Sequence, residues 1–278
     1  SLNIRPETRV IQLWHACGAF KTFGFSRTGK KGGPLQDAVT HRNYSYTFVS
    51  SANIAKYYAE GFGISEKKVI PYGIPRTDIF FDEKIKEATR SKLYTEYPEL
   101  EGKKVILFAP TFRGDGKQTA HYEKKRFEPD RLMEQLSDEY VLIIKHHPFV
   151  KLKYKTEEHL QGRIFDFSGK SEINDLLFIT DLLITDYSSV IYEASLLNIP
   201  MLFYAYDLEN YVATRDFYSG YDHFVPGKIV RTQEDMLRSI KEEDFCHGKV
   251  EEFCRHNFDI RDGKAAERIA GFIGELLG

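Results

Sequence analysis

Short apolar runs rich in β-branched residues recur along the chain. Each is closed by a turn of Gly, Ser, Pro or polar residues and followed by a stretch with helical spacing. That alternation predicts parallel strands joined by crossover helices, an α/β fold. The candidate strands are Val10–Trp14, Tyr46–Val49, Val69–Pro71, Val105–Ala109, Tyr140–Ile144, Leu182–Thr185 and Met201–Tyr204. Ser50-Ser51 reads as the N-cap of a helix running to about Gly61, and Ser188-Ser189 as the N-cap of one stopped by Asn198 and Pro200. A last helix is expected from about Asp262 to Leu277.

The apolar rhythm breaks between Tyr72-Gly73-Ile74-Pro75 and the Lys-, Glu-, Thr- and Ser-rich stretch 82–103. Two Rossmann-like domains follow, 1–85 and 86–278, with the last helix packing back on the first. The first holds three candidate strands where a doubly wound domain usually builds about five or six, so it is expected to be the C-terminal part of a larger N-terminal domain. A length of 278 residues suits two domains, and 42% hydrophobic composition is enough for a substantial core.

Charge and cysteine content narrow the function. Lysine and arginine number 39 against 41 acidic residues, a net charge of −2, so nucleic acid is not expected as a partner and a basic site would have to be a local patch. Cys17, Cys246 and Cys254 are too few and too scattered for a disulfide framework, which suits a reducing, cytoplasmic compartment. No apolar run approaches the roughly 18–20 residues that span a bilayer, and Ser1 to Arg9 carries charges without a signal-peptide core.

In open parallel sheets ligands bind beyond the carboxyl ends of the strands, so the residues directly after each strand are where chemistry is expected. Four such ends carry conspicuous polar groups: His15-Ala16-Cys17-Gly18, Pro110-Thr111-Phe112-Arg113, Lys145-His146-His147-Pro148 and Asp186-Tyr187-Ser188-Ser189. A Ser-Ser helix start offers backbone N–H groups and hydroxyls to a phosphate, although ordinary capping would use the same residues. Glu193, four or five residues on, suits a ribose diol or a plain surface position. His147, with Lys145 on the same extended face, could neutralise or protonate a phosphoryl group, while His146 points the other way and reads as structural. His15 emerges at a tight turn and could serve as a general base, or be a hydrogen-bonded core histidine. Lys21, Arg27, Lys30 and Lys31 interleave with Phe20, Phe23, Phe25 and three glycines, as a mobile loop or a surface for polyanions and lipid phosphates. The run Tyr122 to Phe127 reads as a charged helix face. No metal-ligand spacing, dinucleotide fingerprint or Walker loop is present.

Taken in order, several segments resemble the CDP-glycerol glycerophosphotransferase family of teichoic acid and capsule polymerases. They are Trp14-His15, Pro75-Arg76-Thr77-Asp78-x-Phe80, Ala109-Pro110-Thr111-Phe112-Arg113, His147-Pro148, Thr185-Asp186-Tyr187-Ser188-Ser189 and Asp262-Gly263-Lys264. The resemblance implies a GT-B-like enzyme whose two Rossmann-like domains face a cleft. It would move glycerol phosphate or ribitol phosphate from a CDP-alditol to a hydroxyl of an undecaprenyl-linked polyanionic acceptor, releasing CMP. It also implies a peripheral place at the inner face of the cell membrane. No cofactor is expected, and Mg2+ is compatible with the reaction without any motif that asks for it. The same resemblance assigns His15 and His147 as catalytic residues, the first as the base for the acceptor hydroxyl. Gly18, Thr111, Arg113, Lys145, Asp186, Ser188, Ser189 and Glu193 become substrate-binding residues, Glu193 by analogy with other GT-B enzymes. Ala16-Cys17 and Lys145 depart from the family pattern, and a lysine lacks the bidentate fork of arginine. Two other readings compete, a GT-B nucleotide-sugar glycosyltransferase and a non-catalytic module that binds anionic polymer or lipid.

Overall fold

Nine strands, every neighbouring pair parallel, form two separate sheets in the computed structural model, which describes residues 4, 5, 7–30, 32–123 and 125–278. Lys31 of the basic loop and Lys124 of the Tyr122–Phe127 run lie outside the described residues. The chain divides into two compact units.

One unit comprises the residues up to Asp82 together with Glu209–Phe224 and Cys254–Gly278. Its sheet has the order β1 (Ile11–Gln12), β2 (Tyr46–Phe48), β3 (Val69–Ile70), with Gln12 paired to Thr47 and Thr47 to Val69. The first strand is shorter than the expected Val10–Trp14, because Trp14 turns away to stack on Phe23 and to meet Phe62 edge-on. Ser51 caps the helix Ala52–Phe62 by accepting the Asn53 N–H at 3.1 Å, and Gly63 ends it in the left-handed conformation at φ 63°. That helix buries Ile54, Ala55, Tyr58, Ala59 and Phe62 against Val49 and Val69. The terminal helix, Ala265–Leu277, starts three residues later than expected. Both carboxylate oxygens of Asp78 accept its first N–H groups, from Ala265 at 3.0 Å and Ala266 at 2.8 Å. Gly263 turns the chain into this helix at φ +71°, where a Cβ would stand 2.7 Å from Phe81. The segment Glu209–Phe224 packs Phe217, Tyr221 and Phe224 around Phe20.

The other unit comprises Glu83–Leu208 and Val225–Phe253, so Glu209–Phe224, and Cys254–Gly278 with the last helix, group with the first unit rather than with the span 86–278. The reason is visible in the side chains: Phe217, Tyr221, Phe224 and Phe272 bury aromatic surface on residues of the amino-terminal stretch. Its six-stranded sheet uses β4 (Lys104–Phe108), β5 (Tyr140–Ile144), β6 (Ile164–Asp166), β7 (Leu182–Thr185), β8 (Met201–Tyr204) and β9 (Lys228–Val230). The order is β6-β5-β4-β7-β8-β9, a doubly wound sheet that reverses direction between β4 and β7. Sequence patterning anticipates the four inner strands and misses β6 and β9, the two edges, which are three residues long and carry Asp166 and Lys228. On one face Ile106, Phe108, Leu142, Ile144, Ile184 and Leu202 pack with Leu132, Met133, Met236 and Ile240. The described residues of the run 122–127 are not helical; Tyr122 reaches the strand ends and Phe127 stacks on Phe108 at 3.9 Å.

Candidate active site

Five candidate residues stand on the loops that follow β4 and β7, at the reversal of the sheet: Thr111 and Arg113 after β4, Asp186, Ser188 and Ser189 after β7. Asp186, 2% exposed, is the hub. Its Oδ1 accepts the N–H groups of Thr111 at 2.7 Å and of Tyr187 at 2.6 Å, and its Oδ2 lies 3.0 Å from Arg113 Nη1. Arg113 also donates to the Thr111 carbonyl and, through Nε and Nη2, to the two oxygens of Asp207 at 2.6 and 2.9 Å. Its guanidinium lies between the rings of Tyr187 and Tyr206. Burial opposes its charge, but Asp186 and Asp207 outweigh that and raise its pKa above the ordinary arginine value. The Arg113 guanidinium is thus engaged by two carboxylates and a backbone carbonyl of the protein.

Lys145 is likewise engaged by the protein. Its ammonium donates to the backbone carbonyls of Phe167 and Ser171, while the His147 ring sits against Phe112 and Phe149. Burial lowers the Lys145 pKa. Strand β5 stops at Ile144, just before Lys145, and the side chains of Lys145 and His147 find separate partners. The Phe149 N–H donates to His147 Nδ1 at 3.2 Å, which leaves the proton of the neutral ring on Nε2. Tyr122 ties this turn to the β4 loop: its hydroxyl accepts the His147 N–H at 2.9 Å and donates to the Pro110 carbonyl at 3.0 Å.

The Ser188-Ser189 turn differs from an ordinary cap. Ser189, exposed, has helical backbone angles and no side-chain cap bond, while Ser188 Oγ accepts the Val190 N–H at 3.3 Å. Glu193 is 4% exposed, which rules out the surface position the sequence left open.

Beneath the strand ends lies a cavity of about 210 Å³ walled by Phe108, Tyr122, Phe127, Tyr204 and Tyr206. Thr111 and His146 also line it, and Thr111 Oγ1 and His146 Nδ1 are buried without a hydrogen-bond partner. His146, read from sequence as structural, stacks on Tyr122 with ring centres 4.5 Å apart, and burial lowers its pKa.

His15 belongs to the first unit, on an exposed turn after β1. Arg76 Nη1 donates to its carbonyl at 2.6 Å. Partial burial of the ring and the Arg76 charge lower the His15 pKa below 6.5, so the imidazole is neutral and basic near neutral pH. Gly18, the other candidate there, is buried; its carbonyl and that of Ala16 accept the Tyr58 hydroxyl, and Ser50 donates to the Cys17 carbonyl. Gly18 therefore shapes the turn that carries His15. In the adjoining basic loop Lys30 pairs with Asp216 at 2.9 Å and Lys21 lies over the Tyr211 ring.

Among the described residues one trio has metal-ligand spacing, Glu134, Glu157 and His159, all exposed. No helix of the described residues is long and apolar enough to cross a membrane.

Asp207 and Tyr122 were missed by sequence reasoning, since neither follows a strand directly and both act through partners distant in sequence.

The chain matches known proteins along almost its whole length. It is 51% identical over 98% of its residues to a teichoic acid poly(ribitol-phosphate) polymerase of Bacillus spizizenii, and 47% identical over 97% to the ribitol-phosphate polymerase TarK of Staphylococcus aureus. It spans about half the length of these two relatives, 44% and 53%. A glycerol-phosphate primase of Bacillus subtilis is 32% identical over 99% of the chain and 70% of its own length. The solved structure of the wall teichoic acid polymerase TagF superposes with a TM-score of 0.79, covering 99% of this chain and 70% of that one at 23% identity, which gives the GT-B-like fold. With the family model for CDP-glycerol:poly(glycerophosphate) glycerophosphotransferase matching residues 1–275, the chain belongs to that family.

Proposed function

We propose that this chain carries out alditol-phosphate transfer from a CDP-alditol to a hydroxyl of a lipid-linked teichoic acid or capsule polymer, with release of CMP. The observation that carries the reading is the set of strand-end turns around Asp186, held at the sheet reversal of a chain that belongs to this family. Ribitol phosphate is the unit we favour, because identity is 51% and 47% to ribitol-phosphate polymerases and 32% to a glycerol-phosphate primase.

In this reading the acceptor hydroxyl attacks the alditol-bearing phosphorus in line. His15 takes the hydroxyl proton, the new P–O bond forms, and the bond to the CMP phosphate breaks with its electron pair going to CMP. His15 suits the step because its lowered pKa keeps it unprotonated. On the donor side the exposed Ser189 hydroxyl, the Ser188 turn and His147 Nε2–H would meet the phosphates. Thr111 and the orphaned polar atoms beside it mark a place where a polar ligand would be satisfied. Buried Glu193 would accept from the ribose diol. Arg113, Asp186 and Lys145 act by holding these turns in place. An anionic, lipid-borne acceptor would be met by an enzyme working peripherally at the inner membrane face.

The test is CMP release from CDP-ribitol in the presence of an alditol-phosphate acceptor, by the wild type and by His15→Ala. Loss of the base predicts about 10²–10⁴-fold slower transfer. Near-full turnover in His15→Ala would remove His15 from the reaction, and no CMP release by wild type would contradict the reading.

A further inference from the structure

Three strand-end loops meet on one buried guanidinium. Arg113, after β4, is 11% exposed in its side chain, and Asp186, after β7, is 3% exposed. Asp207, three residues beyond β8, is 15% exposed. Asp207 gives Arg113 two acceptors at 2.6 and 2.9 Å, the bidentate geometry of a guanidinium and a carboxylate, and its Oδ1 also accepts the Tyr187 hydroxyl at 3.0 Å. Asp186 holds the other side of the guanidinium and, with its remaining oxygen, the N–H groups of Thr111 and Tyr187.

We propose that Asp207 is a positioning residue for the donor-side turns: its carboxylate clamps Arg113, and Arg113 in turn holds Asp186, the Thr111 backbone and the start of the Ser188-Ser189 turn. The inference rests on the reading that those turns bind the CDP-alditol. The physical argument is one of charge and shape together. Arg113 is too buried to stand with one carboxylate, and Asp186 cannot supply a second pair of acceptors, because its Oδ1 already takes two backbone N–H groups. Removing Asp207 takes from a buried cation the carboxylate that accepts from both Nε and Nη2. The guanidinium then loses the acceptors that fix its orientation, and the Asp186 carboxylate that anchors the Thr111 and Tyr187 amides loses its fixed partner. Asparagine at 207 keeps the shape but turns an N–H2 toward a guanidinium N–H, so at most one of the two bonds survives. Lysine at 113 keeps the charge and loses the fork.

The experiment compares wild type, Asp207→Asn, Arg113→Lys, the double variant and Tyr187→Phe. The readouts are the dissociation constants for CDP and CDP-ribitol by calorimetry, steady-state KM and kcat for the donor, and unfolding midpoints without ligand. Asp207→Asn is expected to raise the donor Kd and KM together by about tenfold, with kcat within about threefold, because a ground-state positioning contact is lost. The double variant should be no weaker than the worse single, since both cut one link. Tyr187→Phe, which removes one bond to Asp207, should weaken the donor by about threefold. A donor Kd in Asp207→Asn less than threefold from wild type, even with a lowered unfolding midpoint, would overturn the inference and leave Asp207 a stability residue. If Asp207→Asn does not fold, Arg113→Lys decides: a Kd raised threefold or more supports the link, and a smaller change overturns it. Wild type that binds no CDP compound would instead sink the donor reading, and the inference with it.

Discussion

The Tyr122 hydroxyl joins two turns of the site, accepting the backbone N–H of His147 at 2.9 Å while donating to the carbonyl of Pro110 at 3.0 Å. One side chain thereby sets the distance between the loop after β4 and the turn after β5. Burial raises the Tyr122 pKa above the ordinary tyrosine value, so the hydroxyl keeps the proton it donates.

Tyr122→Phe keeps the ring that stacks on His146 and removes both hydrogen bonds. Leaving the His147 N–H and the Pro110 carbonyl unmatched is expected to cost about 1–3 kcal/mol. The loss should show as a lower unfolding midpoint and as weaker binding of CDP compounds, because His147 loses its register. An unfolding midpoint and donor affinity both equal to wild type would contradict the role.

His15 predicts the acid side of the pH–rate profile. Its pKa is lowered from 6.5 by burial and by Arg76, so kcat/KM should rise through a midpoint below 6.5. Arg76→Gln removes one of those two causes, and the midpoint should move up toward 6.5. The linked stability has a fixed sign. The unfolded chain binds the proton more tightly than the folded one, so the contribution of neutral His15 to stability is present above pH 6.5 and is lost as pH falls through the lower folded value. A midpoint that stays put or falls in Arg76→Gln would contradict the pairing.

Asp78 carries the start of the terminal helix. Asp78→Ala should cost about 0.5–2 kcal/mol, the ordinary value of an N-cap, and toward its upper end because two N–H groups lose their acceptor. Denaturant unfolding of wild type, Asp78→Ala and Asp78→Asn would measure it, with Asn intermediate. Equal stability of all three would remove the cap from the account.

These residues also show what a sequence can and cannot disclose. Strand ends are legible because a β-branched run closed by a polar turn has few alternatives, and that placed His15, Thr111, His147 and Asp186 on loops after strands. Edge strands β6 and β9 were hidden by their length and by Asp166 and Lys228. The protein partners of Arg113 and Lys145 are not legible for a different reason. A cation near a strand end looks the same in sequence whether it meets a phosphate, an aspartate 94 positions away, or a carbonyl 22 positions away. The Pro75–Phe80 segment carried family resemblance, and its Asp78 proves to be a helix cap. The return of Glu209–Phe224 to the first unit rests on rings around Phe20, a long-range preference that periodicity does not encode.

Thermal unfolding of the purified chain with CDP-ribitol, CDP-glycerol, CDP and a UDP-sugar reads donor recognition without an acceptor or turnover. A ligand at 100 times its dissociation constant stabilises the folded state by about 2.7 kcal/mol, which for a chain of this size is a shift of a few degrees. The account predicts that shift with the CDP compounds, its absence with the UDP-sugar, and its loss when Ser188 and Ser189 are both changed to alanine. A folded protein whose midpoint is unmoved by every CDP compound would contradict it.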